Sequence, residues 1–305
     1  MRQLFFIGFA FLLITKTYGQ INMNDSTVQV IGYWDKNEKQ TYIVTNESYK
    51  VKDSDTTSRE SYKYAVDITI VDSTADSYTI DWFYHDYDIK ADNELIKKLS
   101  SIAEDITVTI MTDGFGAFKE VKNWKDIRDF ILKGTKILKK ETKDIPNIDK
   151  VIKQMEDLYS TKESIEAAAI KEIQQFYNYH GGKYKLGEEI SASMKVANLY
   201  GGAPFDTEVT LWLDEINTED NNSIIRMQQI VNSEQLTKTT FDYLTKMAET
   251  MKVPGPKWDG FPPLKNETWI SSRIHNAGWV IYSIETQEVS AEGVTNVKEN
   301  IIEIQ

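Results

Sequence analysis

The chain has 305 residues, a formal net charge of −12 at pH 7 and no cysteine. The lack of cysteine excludes disulfides and thiol catalysis, and the acidic balance argues against binding to nucleic acid or to an anionic membrane. Hydrophobic residues make up 41% of the sequence and aromatic residues 11%, so we expect a core that is stable without covalent cross-links.

Residues 1–19 have the pattern of a secretory signal peptide. Arg2 provides the positive start, and residues 4–14 form an apolar run that is too short to span a bilayer comfortably. Thr17 and Gly19 occupy the positions that precede a cleavage site. We therefore expect an extracytoplasmic protein, periplasmic or secreted, that is cleaved near Gly19 and has no membrane span. The alternative is that this run forms a buried N-terminal helix.

A polar arm is expected over residues 20–39, and a first β-rich half over residues 40–122. Apolar and polar residues alternate at 62–70 and again at 78–84, which is the period of half-buried strands. Residues 95–102 have the apolar spacing of a short helix. A third strand and a hairpin then complete this half.

The central segment, residues 123–181, predicts three helices, each with one apolar and one charged face. Asn123 is the expected N-cap of the first helix and Asn147 that of the second. The third helix is expected to begin with a capping box formed by Ser160 and Glu163.

The second β-rich half, residues 182–305, repeats the order hairpin, helix, hairpin and contains a Pro-rich linker at residues 252–265. Short turns between the strands require antiparallel pairing. The sequence thus predicts an α+β fold with curved antiparallel β-sheets in two similar halves, packed around the central helical segment. An internal duplication would explain the repeated order. The alternative explanation is a coincidence between common α+β patterns.

No catalytic residue, metal site or cofactor site is predicted. The three histidines, His85, His180 and His275, are far apart in the sequence and belong to no metal-binding motif. His180 precedes two glycines at the end of a predicted helix, so its simplest role is that of a cation at the helix C-terminus.

Four aromatic residues are the candidates for ligand binding. Tyr200 and Phe205 belong to an unusual loop with tandem glycines, and Trp258 and Phe261 belong to the Pro-rich linker. Aromatic side chains provide large contact areas, and glycines let the backbone pass close to another group. The alternatives are a purely structural loop and a rigid strap packed across the helices.

The favoured function is that of an exported, non-enzymatic binding or interaction protein. Its ligand would be a small apolar or amphipathic molecule held in a concavity of the β-sheet, or a partner protein. The alternative is an extracytoplasmic hydrolase that acts on glycans through a pair of carboxylates that the sequence does not identify. A third possibility is a structural envelope protein without a pocket.

Overall fold

The computed structural model describes residues 20–90, 106–144, 148–198 and 200–305. Within these ranges the chain forms fourteen strands and five helices. The strands are β1 (Ile21–Asn22), β2 (Thr27–Gln29), β3 (Lys39–Lys52), β4 (Asp55–Ser73), β5 (Ser77–Lys90), β6 (Ile106–Asp113), β7 (Phe118–Val121), β8 (Lys183–Lys185), β9 (Glu189–Val196), β10 (Phe205–Asn217), β11 (Asn222–Val231), β12 (Lys265–His275), β13 (Val280–Ala291) and β14 (Val294–Ile304). The helices are α1 (Trp124–Glu141), α2 (Ile148–Leu158), α3 (Lys162–Ala168), α4 (Lys171–Tyr177) and α5 (Ser233–Met251).

Eleven of these strands form one open antiparallel sheet in the order β7-β6-β5-β4-β3-β14-β13-β12-β11-β10-β9. The chain runs outward from β3 to the β7 edge, passes through the helices, and returns from the β9 edge inward to β14. The two halves meet where β14 pairs with β3, with Val44 opposite Ile302. The predicted α+β class with antiparallel sheets is confirmed.

The two halves share a simple strand order. In each of them, four consecutive strands, β4 to β7 and β10 to β13, lie side by side in chain order. Helix α5 follows the second strand of the later set. The corresponding helix of the earlier set, predicted at residues 95–102, lies outside the described residues. The internal duplication therefore stays a prediction.

The core lies between the large sheet and α4. We call the sheet face that α4 covers the inner face. Phe176 is fully buried there, and its ring lies 5.4 Å from the ring of Tyr42 and 5.3 Å from that of Trp82. Gln175 fixes the same helix to the sheet, because its Nε2 donates a hydrogen bond to Ser283 Oγ at 2.9 Å.

The polar arm predicted at residues 20–39 is part of the folded body. Its strands β1 and β2 form a small sheet with β8, and Val28, Val30 and Trp34 are buried in the main core. A few apolar positions of this mainly polar segment are thus buried, and the segment forms two short strands rather than a loose arm.

The helical segment differs from its prediction in the third helix and at two N-terminal caps. The third predicted helix is divided into α3 and α4, and the capping box that opens it is formed by Thr161 and Ser164 rather than Ser160 and Glu163. Asn123 occupies the predicted N-cap position of α1 but makes no side-chain capping bond. It instead accepts from Thr109 N and donates to the Thr107 carbonyl, which ties the helix to β6.

Three sequence predictions fall outside the described residues. These are the signal peptide at residues 1–19, the short helix at residues 95–102 and the N-cap at Asn147. No helix within the described ranges has the length and apolar character needed to cross a membrane.

Candidate functional site

A cavity of about 420 Å³ lies on the inner face, at the end of the central strands that α4 leaves uncovered. The strand register explains why it forms there. The last covered row across β4, β3, β14 and β13 consists of Tyr64, Val44, Ile302 and Ser283. The next row, one step along the strands, consists of Tyr62, Asn46, Asn300 and Glu285. The inner face thus changes from mainly apolar to polar beyond the first turn of α4, where the helix no longer covers it.

We call the polar side of this cavity the polar floor. Its members are amide, hydroxyl and charged side chains of β3, β13 and β14, namely Asn46, Ser48, Glu285, Gln287, Lys298 and Asn300. One of their atoms, Asn300 Oδ1, is buried and has no hydrogen-bond partner among the described residues. A buried acceptor of this kind is costly to leave unpaired, by about 1–3 kcal/mol. The floor therefore favours a ligand that donates a hydrogen bond.

The cavity also has an aromatic lining, formed by Tyr62 and Tyr64 of β4. These two belong to a group of four neighbouring tyrosines of β4 and β5, which we call the tyrosine wall: Tyr62, Tyr64, Tyr84 and Tyr87. The rings of Tyr62 and Tyr64 are stacked at 6.2 Å, and those of Tyr64 and Tyr87 at 4.9 Å. Burial and the nearby Glu172 carboxylate raise the pKa of Tyr62 to about 12. The Tyr62 hydroxyl therefore stays protonated at neutral pH.

Two carboxyl groups converge on the cavity from different elements. Glu172, in the first turn of α4, accepts a hydrogen bond from the Tyr64 hydroxyl at 3.2 Å. Burial raises the pKa of Glu172, while hydrogen bonds from its own backbone N–H, Tyr64 and Tyr84 oppose that rise. Burial also raises the pKa of Glu285, and Lys171 opposes this rise while Glu172 adds to it. Both pKa values are thus shifted in the same direction.

The four predicted ligand-binding residues lie elsewhere, around α5. Tyr200 packs on Tyr243 of that helix, with ring centroids 4.9 Å apart, and it lines a second cavity of about 400 Å³ together with Phe205. Phe205 also packs in a small core cluster with Leu236. Their binding role stays a prediction.

The linker residues lie on a different part of α5. The ring of Trp258 lies 4.9 Å from that of Phe241, and the ring of Phe261 lies 5.3 Å from it. Trp258 remains 56% exposed. The linker therefore packs as a strap on α5 and still presents an indole to solvent.

Sequence reasoning did not identify the residues of the inner-face cavity. The signal that could have found them is a polar residue at an inward position of a strand. In β13, Ser283, Glu285 and Gln287 follow one another at the spacing of two that keeps side chains on one face. A row of this kind on a face that should be apolar indicates a lined cavity rather than a core.

His180 is not the surface cation that its position in the sequence predicts. It is buried among the rings of Trp34, Phe176 and Tyr177, and its Nε2 donates to the Gly278 carbonyl at 2.7 Å. Burial lowers the pKa of His180 to about 4. The imidazole is therefore neutral at pH 7, and the prediction of a cation was wrong.

No protein-family model matches the chain, and no curated protein matches its sequence. The described residues also contain no group of three histidine, aspartate or glutamate side chains that could hold a metal ion. Function is therefore inferred from the cavity itself.

Proposed function

We propose that this chain is an exported, non-enzymatic binding protein that holds an amphipathic, hydroxyl-bearing ligand in the inner-face cavity. The export part of the proposal is supported by the signal-peptide pattern of residues 1–19. The binding part is supported by the two unlike sides of the cavity. The tyrosine wall suits an apolar or ring-shaped surface, and the polar floor suits hydroxyl groups.

The packing of α4 argues against a purely apolar ligand. The apolar part of the inner face is occupied by Phe176 and Tyr177, which are buried against the sheet and contact the ring of Trp82. What stays open is the end of the sheet where polar rows begin. A ligand with hydroxyl groups on one side and an apolar side or tail on the other matches this division.

One observation carries the proposal. Asn300 Oδ1 is buried in the polar floor and has no hydrogen-bond partner within the described ranges, and it lies next to Glu285, whose carboxyl has a raised pKa because it is buried. A protein that only needed a stable fold would gain by filling these positions with apolar side chains, since unpaired buried polar groups are costly. A ligand hydroxyl at this place would satisfy both groups.

Calorimetric titration with three probes tests the proposal. Dodecyl maltoside combines a hydroxyl-rich head with an apolar tail, maltose has the head alone, and dodecylphosphocholine has the same tail with a charged head. We expect the tightest binding for dodecyl maltoside. Native mass spectrometry of the exported protein should also reveal a copurified molecule. If no probe binds and only the bare chain is recovered, the proposal is wrong.

A matched pair of variants locates the binding. Tyr62→Ser removes a ring from the tyrosine wall, whereas Tyr282→Ser removes a ring of similar exposure, 36% against 43%, from the opposite face of the sheet. Losing the contact of a ring with a bound ligand costs about 1.5 kcal/mol, which is roughly a tenfold weaker Kd. We expect this loss for Tyr62→Ser and no change for Tyr282→Ser. Equal effects of the two would contradict binding in this cavity.

A glycan hydrolase is the second candidate, because Glu172 and Glu285 are two carboxyls in one cavity. Hydrolysis by such a pair requires one protonated and one ionised group, with pKa values pushed apart. Here burial raises the pKa of both carboxyls, so no difference in direction marks one of them as the acid and the other as the ionised group. Chromatography of maltoheptaose and chitotetraose incubated with the protein distinguishes the two functions. Cleavage products that disappear in Glu172→Gln would favour the hydrolase.

A further inference from the structure

Strand β9 forms an unprotected edge of the large sheet. Its first seven residues are exposed, and β10 is the only strand that pairs with it in the described part of the chain. The opposite edge is protected, because β7 has four residues and the Val121 N–H donates to the Glu166 carboxylate of α3 at 2.7 Å. An open edge of this length offers unpaired backbone N–H and C=O groups to another strand.

The side chains of β9 are arranged for pairing. Ile190, Ala192 and Met194 point to the inner face, in line with Leu211, Val209 and Thr207 of β10. Ile190 and Met194 are each 47% exposed. The strand has no proline, and its register with β10 has no bulge, so it lacks two common devices that block edge pairing.

We propose that two copies of this chain associate through β9, antiparallel, around a twofold axis at Ala192. This register places Glu189 of each copy opposite Lys195 of the other copy. It also brings Ile190 opposite Met194 on the inner face. The strand is thus complementary to itself in charge and in apolar contacts, as a twofold interface requires.

This complementarity is the reason to assign the edge to a second copy. An unrelated extended peptide could pair with the backbone, but it would need charges placed to match Glu189 and Lys195, whereas a second copy carries them already. In a twofold pair, both ends of β9 find an opposite charge without any other partner. A single strand edge buries little area compared with the roughly 1,200–2,000 Å² of stable interfaces, so the dimer dissociates on dilution.

Sedimentation equilibrium over a range of about 1 to 300 µM protein tests the dimer, because weak interfaces have Kd values in that range. Glu189→Lys and Lys195→Glu each replace two attractive pairs by two repulsive ones, and we expect each to weaken the dimer about tenfold. The double variant restores opposite charges and should return to within about threefold of the original Kd.

The double variant also serves as the folding control. Lys195 forms an ion pair with Asp206 within its own chain, so Lys195→Glu alone could act through that pair. Only pairing between copies explains a rescue by adding Glu189→Lys. A protein that stays monomeric over the whole range would overturn the proposal. A double variant that associates no better than the single variants would overturn it as well.

Single cysteines test the register, since the chain has none of its own. Directly opposite residues have Cβ atoms about 4.5–5.5 Å apart, close to the span of a disulfide. Ala192→Cys lies opposite itself in the proposed pair and should cross-link under mild oxidation. Ser191→Cys lies opposite Ser193 and should not. Cross-linking of both variants to the same extent, or of neither, would contradict this register.

Discussion

The buried imidazole of His180 predicts how stability depends on pH. In the unfolded chain this histidine binds a proton below its ordinary pKa of 6.5, but in the folded protein burial delays protonation until about pH 4. Between these two values the unfolded state binds more protons than the native state. The contribution of the neutral His180 to the free energy of unfolding is therefore fully present above pH 6.5, and it is lost as the pH falls toward 4.

The size of this effect follows from the two pKa values. They differ by about 2.5, and one pKa unit corresponds to about 1.4 kcal/mol, so the histidine should remove ~3 kcal/mol of stability across the window. This is a large share of the roughly 5–15 kcal/mol that holds a protein folded. The nearby Asp113 opposes the lowering of this pKa, and its contribution is already part of the value of about 4.

Urea denaturation followed by tryptophan fluorescence, from about pH 7 to pH 4, measures the effect. His180→Gln is the comparison, because its side-chain amide can still donate to the Gly278 carbonyl but does not titrate. Other titrating groups contribute equally to both proteins. We expect the original protein to lose ~3 kcal/mol more than the variant over this window. Parallel stability curves would refute the assignment of a buried neutral histidine.

Three further predictions concern other features of the fold. Phe176→Ala should cost about 3–5 kcal/mol in urea denaturation and should let the inner face bind an apolar fluorescent dye; an unchanged midpoint would contradict the central position of this ring. Gly278→Ala should lower the free energy of unfolding more than Gly293→Ala does. The backbone φ is positive at both glycines, but only at Gly278 would an added Cβ meet backbone, at 2.5 Å from the Ile31 carbonyl oxygen. Burial raises the pKa of Glu172, so the ionised carboxylate destabilises the folded protein as the pH rises through that pKa. Glu172→Gln should therefore stabilise the protein at neutral pH and have little effect below pH 4.5. Equal effects at both pH values would contradict this.

The sequence predicts those strands whose inward positions are apolar. In β4, Val66, Ile68 and Ile70 are fully buried, and they produce the alternation that marks the strand. Strand β14 carries no such signal, because its inward residues Lys298 and Asn300 belong to the polar floor. Hydrophobic periodicity therefore fails where a strand lines a polar cavity.

The candidate site depends on contacts that are far apart in the sequence. Glu172 and Glu285 come from a helix and a strand that are separated in the sequence by β8 to β12, and no local pattern joins them. The predicted residues Tyr200 and Trp258 were selected as aromatic residues in unusual loops. The structure brings both to α5, although Tyr200 lies in the loop between β9 and β10 and Trp258 in the linker between α5 and β12. Residue type and loop composition thus indicated contact surfaces but not the cavity.

The position of β14 determines when the molecule can finish folding. It is the last strand in chain order, yet it lies in the middle of the sheet between β3 and β13, and the Gln305 N–H donates to the Thr41 carbonyl at 2.9 Å. Until this strand is in place, β3 and β13 remain two long open edges, and such edges invite aggregation. Pairing across so many residues is also slow. A chaperone that shields the chain would thus have its greatest effect in the interval before β14 pairs.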